Sequence, residues 1–385
     1  MASSRKKNIS VGIMTAASPG LPPSPAKSFT AGSAGKAAVW DSMFFVFSPA
    51  DIHWEAGHVT GYVYSGKTSG WERRLCPFPD FVYDRCFCTN GSQFNEYATQ
   101  LRRIRREPGI RLLGSVLKGK ADVYAALAAD AEIKPCLPYT IKLEKQALLT
   151  WLQRHDAAYL KPEAGSQGKG GLLVERRSCG EPSEDKYSVK GRDFNNRQIE
   201  ISFRDSRELL GWLQAFTGQR RYLLQPFLQL TDFWGEPYDI RALVQKDGTG
   251  GWTLTGFAAR KGAAGGITSN LHGGGTAWEA APFLQKLFGA DESSAILQTL
   301  NRLSAKIPPL LEQSFGRLLE LGIDYGIDRS GRIWILEANS KPGRSAFEHL
   351  PDQQIKACSV VNPLRYARYL ADRTLSNRVI LGGYP

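Results

Sequence analysis

Cysteine and histidine are scarce in this 385-residue chain, which holds six of the first and five of the second. The cysteines, at 76, 86, 88, 136, 179 and 358, form no CxxC pair, which excludes a zinc ribbon and supplies no disulfide framework. Cys86 and Cys88, two apart, are expected on one side of a strand. The histidines show no HExxH or comparable spacing, so no transition-metal motif is present. No apolar run approaches the roughly 18 residues that span a bilayer. The basic start MASSRKKNIS leads into VGIMTAASPG, which is too short and too broken by Gly and Pro for the apolar core of a signal peptide. A membrane partner is therefore not expected, and a cytoplasmic location is. Internal repeats and low-complexity tracts are also missing.

What is present is an ordinary globular balance, 42% apolar and 22% charged, on a chain long enough for two or three packed subdomains. Its net charge of +12 draws anions to the surface: nucleotide phosphates, an acidic peptide or nucleic acid. The densest basic run, Arg102, Arg103, Arg105 and Arg106 with Arg111, lies in NEYATQLRRIRREPG. Leu101 and Ile104 interrupt it at helical spacing, so it reads as a solvated helix face, and no nucleic-acid motif accompanies it.

Residues 1–115 mix short β-rich runs (VGIMTA, AVWDSMFFVF, HVTGYVYSG, DFVYDRCF) with Gly and Pro turns and read as a separate amino-terminal domain, a site for substrate or a partner. A helix over KADVYAALAADAEI, ended by Pro135 and Pro138, marks the boundary. Residues 116–225 and 226–385 then alternate helices with mostly antiparallel strands. Ser206 is a candidate cap for the helix SRELLGWLQAF, and two helical stretches are expected over about 278–321. The fold class is α+β, in at least three subdomains.

Two glycine-rich segments compete as phosphate sites. Gly61-Tyr-Val-Tyr-Ser-Gly66-Lys67-Thr68 satisfies the P-loop pattern, but that loop works only as a glycine-rich turn between a buried strand and a helix start. Tyr62, Val63 and Tyr64 prefer extended backbone and prolines follow where the helix belongs, so the segment reads as a β-hairpin. Gly165-Ser-Gln-Gly168-Lys169-Gly170-Gly171 instead joins the strands AAYLKP and LLVERR. Its backbone can close over a triphosphate, with Ser166 and Lys169 as added donors and Lys161 a fixed cation upstream.

In LGIDYGIDRSGRIWILEANSKPG the turn RSG separates two strands, so Asp324 lies near Glu337 across a hairpin, and Glu337 and Asn339 face one side. Two carboxylates and an amide oxygen make an oxygen-only cluster that is costly to hold in a partly buried sheet without a cation, and Mg2+, with Mn2+ as an alternative, suits it.

Together these segments resemble the ATP-grasp superfamily. The likeness runs in order from KGKADVYAAL (Lys120) through YLKPEAGSQGKGG (Lys161 and the loop), LLQPF, YDIRAL (Asp239, Arg241) and FAARKGAAGGITSNLHGGG (Arg260, Asn270) to Asp324 and LEANSKPG, over about 118–345. Within the superfamily it looks most like the spore-coat-associated YheC/YheD group. The resemblance implies ATP held between two α+β lobes behind the β-rich amino-terminal domain. Adenine would lie at the hinge Gln225, Pro226 and Phe227, with Asp239 and Asn270 in the nucleotide site. Phosphates would lie on Lys120, Lys161 and a lid holding Ser166, Gly168, Lys169 and Gly170. It also implies the metal on Asp324, Glu337 and Asn339, with Arg241, Arg260 and Lys161 as the catalytic cations. Arg241 paired with Asp239 or a neighbour in a plain salt bridge is the structural alternative. The activity implied is ADP-forming carboxylate–amine ligation through an acyl phosphate, on a small molecule or acidic peptide, with spore-coat proteins as partners and the coat as a further location. A nucleotide-binding coat scaffold and a kinase are the alternatives.

Overall fold

The computed structural model describes residues 9–17, 43–65, 68, 70–88, 90–165, 168–177, 186–262, 266, 269 and 275–381. Three sheets make up the chain. In the first, β1 (Ser10–Thr15), β2 (Met43–Phe47) and β6 (Phe81–Arg85) are short, nearly continuous apolar runs, the signature of strands covered on both faces. They pair in parallel, β2-β1-β6, and β6 adds the short parallel β7 (Arg111–Leu112). On the other edge β2 meets β4 (His58–Ser65) antiparallel, and β4 pairs with β3 (Ile52–His53) and β5 (Gly70–Pro77). The β-rich runs read from the sequence left the pairing direction of this segment open, and its core is parallel. The helix α1 (Gly91–Ile104) returns the chain from β6 to the parallel β7 and packs Tyr97, Leu101 and Ile104 on the sheet. The four α1-end arginines stay exposed, as their spacing predicts. Cys86 and Cys88 fall just past the end of β6, so they are loop residues and not strand residues.

After α2 (Lys120–Ala128), the second sheet runs in the order β12-β11-β10-β9-β13-β8, antiparallel at every pairing. Its strands are β8 (Ile141–Lys142), β9 (Ala157–Pro162), β10 (Leu172–Arg176), β11 (Tyr187–Arg192), β12 (Gln198–Phe203) and β13 (Tyr222–Pro226). Helices α3 (Lys145–His155) and α4 (Ser206–Thr217) bury Leu148, Leu152, Leu209 and Leu213 against one face. Asp205 caps α4, accepting from the amides of Arg207 and Glu208, so the cap lies one residue before Ser206.

The third sheet, order β16-β15-β14-β17-β18, is antiparallel throughout: β14 (Tyr238–Lys246), β15 (Trp252–Lys261), β16 (Thr276–Glu279), β17 (Glu320–Ile327) and β18 (Ile333–Asn339). Every residue of β14 and β17 is buried. One long helical run, α5 (Ala280–Phe315), covers one face with α2, and Gly289, at φ 78°, breaks it into the two expected stretches. After the short α6 (Ser345–Glu348), α7 (Gln353–Leu381) packs Leu364, Tyr366 and Ala367 under the first sheet. The opposite face of the third sheet carries α6 and α7 over Leu243 and Ala258, and the part left open beyond them turns toward the second sheet.

Candidate active site

Charged residues cross that open face in one row. On β14, Asp239 stands opposite Arg260 of β15, and Arg241 opposite Asp324 of β17. Arg260 donates twice to Asp239, at 2.6 Å each, and reaches Asp324 at 3.0 Å. Arg241 grips Asp324 with both Nε and Nη2, the latter at 2.8 Å, while the Ser269 hydroxyl donates to Asp239. Burial alone would raise the Asp324 carboxyl, yet Arg241 and Arg260 hold it below the usual aspartate range.

A bulge decides what stands next to Asp324. The hairpin pairs Ile327 with Ile333, Gly326 with Trp334 and Tyr325 with Ile335, then skips Leu336 and pairs Asp324 with Glu337. That extra residue turns Glu337 and Asn339 onto the charged face. Asn339 lies opposite Gly322, where a side chain would strike Pro342 at 2.7 Å and the Arg241 guanidinium at 3.2 Å. Glycine is thus what lets Arg241 and Pro342 lie beside the asparagine.

Two ammonium groups face this row, Lys161 from the second sheet and Lys120 from the start of α2, the helix packed with the third sheet. Lys161 is next to last in β9 and its Nζ donates to the carbonyl of the bulged Leu336 at 3.3 Å. Lys120, first residue of α2, lies 3.8 Å from Glu337 Oε1 and 3.5 Å from the Pro162 carbonyl. Burial and the Lys120 ammonium bring Lys161 down to about 8, against the pull of Glu337 and Asp324. Burial and Glu337 push the nearby Tyr159 phenol up to about 12. Lys120, Lys161, Arg241 and Arg260 face Asp239, Asp324 and Glu337, an arrangement with positive charge to spare for an anion. Among the described residues no three His, Cys, Asp or Glu side chains form a metal cage. A hard cation on Asp324, Glu337 and Asn339 would thus complete its shell with water and phosphate oxygens, a donor set that fits Mg2+.

Residues 109–370 match the family model described as YheC/D like ATP-grasp. The chain belongs to this ATP-grasp family. It is 30% identical over 352 residues to the endospore coat-associated protein YheC of Bacillus subtilis (strain 168), covering 89% of this chain and 92% of that one. YheD of the same organism is 28% identical over 338 residues, 86% and 72% of the two chains. The fold is similar to that of D-cycloserine synthetase DcsG, with a TM-score of 0.52 at 13% identity over 94% of this chain and 99% of that one. The VanG D-Ala:D-Ser ligase of Enterococcus faecalis gives 0.53 at 10% identity over 94% and 100%.

For an ATP-grasp chain the glycine loop is the expected lid. Gly168 and Gly170 take positive φ, 69° and 74°, and a side chain on Gly170 or Gly171 would strike Phe194, Tyr222 or Tyr159 within 2.8 Å. The second half of the loop therefore lies on an aromatic floor, with Lys169 beside it; Ser166 is outside the described residues, as is Asn270. At the expected hinge, Gln225 is buried on β13 and donates to the Thr140 hydroxyl at 2.7 Å, and Pro226 and Phe227 follow half-buried. Gln225, Leu223, Lys161 and Tyr159 share one sheet face, through the pairings of Leu223 with Lys161 and Gln225 with Tyr159. The competing P-loop segment is a hairpin: Tyr64 pairs with Trp71 and Ser65 with Gly70, while Gly61 leaves room for the Phe45 ring. Its Gly66 and Lys67 lie outside the described residues. Sequence reading passed over Tyr83, Asp84, Arg85 and Glu320 and placed Lys341 only within a substrate-side range, 340–344; these residues join the first sheet to the turn after Asn339, and no spacing marks residues paired across more than 200 positions.

Proposed function

We propose that this chain forms an amide bond between a carboxylate and an amine, using Mg-ATP and releasing ADP and phosphate through an acyl phosphate. The observation that carries the reading is the bulged register that sets Glu337 beside Asp324 beneath Lys120 and Lys161. Lys120 and Lys161 take the α- and β-phosphates, and adenine lies against Gln225, Pro226 and Phe227. Asp324, Glu337 and Asn339 hold Mg2+, which when bound neutralises charge on the transferring phosphoryl group. Arg260, anchored through Asp239, and Arg241 beside it present planar forks to the γ-phosphate and then to the acyl phosphate. In exchange for their contacts with Asp324 they gain phosphate oxygens, so no charge is left buried and unpaired. Closure of the 165–171 lid, with Ser166 and Lys169, excludes water that would hydrolyse the intermediate.

The division of labour follows the three segments 1–115, 116–225 and 226–385, with substrate-side residues near 340–344, on 262–275, including Asn270, and in the amino-terminal segment. The basic surface favours an acidic peptide or other anionic substrate, and the similarity to two coat-associated proteins supports spore-coat proteins as partners. No helix among the described residues is long and apolar enough to cross a membrane.

The test is ADP release from Mg-ATP with panels of carboxylates and amines. Glu337→Ala and Lys161→Ala should lower it by about 10²–10³ or more, while Lys67→Ala should leave it intact. Loss with Lys67→Ala and survival with Glu337→Ala would move the nucleotide to the hairpin. Nucleotide binding without turnover on any panel would favour a coat scaffold, and a stable phosphorylated product with no amine requirement a kinase.

A further inference from the structure

The end of β6 grips the turn that follows Asn339 from both faces of the sheet. Tyr83 and Arg85 project to one side and Asp84 to the other. On the first side, Arg85 Nη2 donates to the Pro342 carbonyl at 2.9 Å, and Arg344 Nη1 donates to the same oxygen at 2.8 Å. Both guanidiniums are fixed by the fully buried Glu320, which also accepts from Tyr83 at 2.5 Å and Gln245 at 3.0 Å. On the second side, Asp84 accepts from Lys341 Nζ at 2.8 Å, and that ammonium also donates to the Cys86 carbonyl and the Tyr97 hydroxyl. The Ser340 hydroxyl accepts from the Leu117 amide at 3.0 Å. Ser340, Lys341, Pro342 and Arg344 are thus all held, and Pro342 rests on Gly322, the residue paired with Asn339.

Burying two guanidiniums and a carboxylate is a poor way to glue two sheets, since apolar residues of similar volume do so as well or better. What the ions add is direction: two N–H donors converging on one carbonyl fix where the turn begins. Partners behind a metal ligand are commonly worth about 10- to 100-fold in metal affinity. We propose that Arg85, acting through Pro342, and Asp84, acting through Lys341, are positioning residues that set the metal-binding geometry of Glu337 and Asn339. The amino-terminal sheet is then part of the nucleotide site without touching the nucleotide. This inference rests on the reading of the β17–β18 hairpin as the metal site.

The test measures Mn2+ retained by the full-length protein in saturating ADP, from the electron paramagnetic resonance signal of free Mn2+, and ADP affinity without metal. Arg85→Gln and Lys341→Met should each weaken Mn2+ retention by about tenfold or more while metal-free ADP affinity stays within about twofold. A clamp that serves stability alone would lower the melting temperature and leave Mn2+ retention unchanged, and that result overturns the proposal. Should Arg85→Gln fail to fold, Lys341→Met, at the edge of the cluster, decides. Glu337→Gln keeps the two readings apart. Mn2+ retention that ignores Glu337→Gln means the hairpin is not the metal site, whereas dependence on Glu337 but not on Arg85 or Lys341 removes only the positioning role.

Discussion

The third sheet meets its two neighbours in different ways. Toward the first sheet the junction is dense and dry: Glu320 is 1% exposed, takes four side-chain donors and lies among Tyr83, Arg85, Gln245 and Arg344. Toward the second sheet the described polar contacts near the row are few and long, 3.3 Å from Lys161 to the Leu336 carbonyl and 3.5 Å from Lys120 of α2 to the Pro162 carbonyl. One junction is built to stay shut. The other is held by two ammonium groups whose natural partners are anions, so it gains most when a ligand arrives. A protein that must hold substrate geometry while admitting a nucleotide needs this asymmetry: fixed on one side, responsive on the other.

The largest effect should come from breaking the dense side. Glu320→Ala leaves Arg85 and Arg344 buried without their counter-charge and should cost about 3–5 kcal/mol in chemical denaturation. A loss under about 1 kcal/mol would mean the two junctions do not differ as described. Although burial would raise it, Arg344 and Arg85 hold the Glu320 carboxyl below its ordinary value. Its contribution is therefore complete above the unfolded carboxylate range and is lost as pH falls through the lower folded value, which acid unfolding of wild type against Glu320→Gln would reveal.

On the responsive side Lys161→Ala or Glu337→Gln should lower the rate of ADP formation by about 10²–10³ while denaturation midpoints hardly move. Equal losses of stability on both sides would erase the contrast. A smaller effect has the opposite sign. Lys161 titrates near 8 when folded, below its ordinary 10.5, so between these values the unfolded chain holds more protons and stability rises with pH. Lys161→Met should accordingly stabilise the nucleotide-free protein by about 1 kcal/mol at neutral pH, allowing for solvent near the half-buried amine, and the gain should fade toward pH 10.5. The smallest expected change is in hydrogen exchange: amides of β9 and β13 should exchange faster than those of β6 and β17, and Mg-ATP should slow the first pair most.

How far these features were legible follows from how local each one is. The hairpin with Asp324, Glu337 and Asn339 reads from alternation and a turn within sixteen residues, and the cations Lys120 and Lys161 read from motifs in order. The arginines of α1 read from helical spacing alone. Register did not, because the Leu336 bulge leaves no compositional trace. The parallel pairing of β1 with β2 and β6 was left open because parallel and antiparallel strands share the same short apolar runs, and only the crossovers tell them apart. The Glu320 cluster was invisible for the same reason in sharper form: Tyr83 and Glu320 are each unremarkable in their own segments. The partner read for Arg241 was Asp239 or a neighbour; it is Asp324, across the strand, while Asp239 goes to Arg260.

The Leu336 bulge also sets a counting rule for reading other chains of this kind. Pairs nearer the turn, such as 325 with 335 and 326 with 334, are separated by even numbers of positions, whereas Asp324 and Glu337 are separated by an odd one. A chain that lost one residue from the second strand could keep both acids on one face by losing the bulge with it. A chain that lost one from the turn would have to re-pair the whole hairpin or send its glutamate into the apolar layer beneath. Alignments of distant members should therefore place a single-residue gap within the second strand, beside the glutamate, and treat a gap in the turn as a change of geometry.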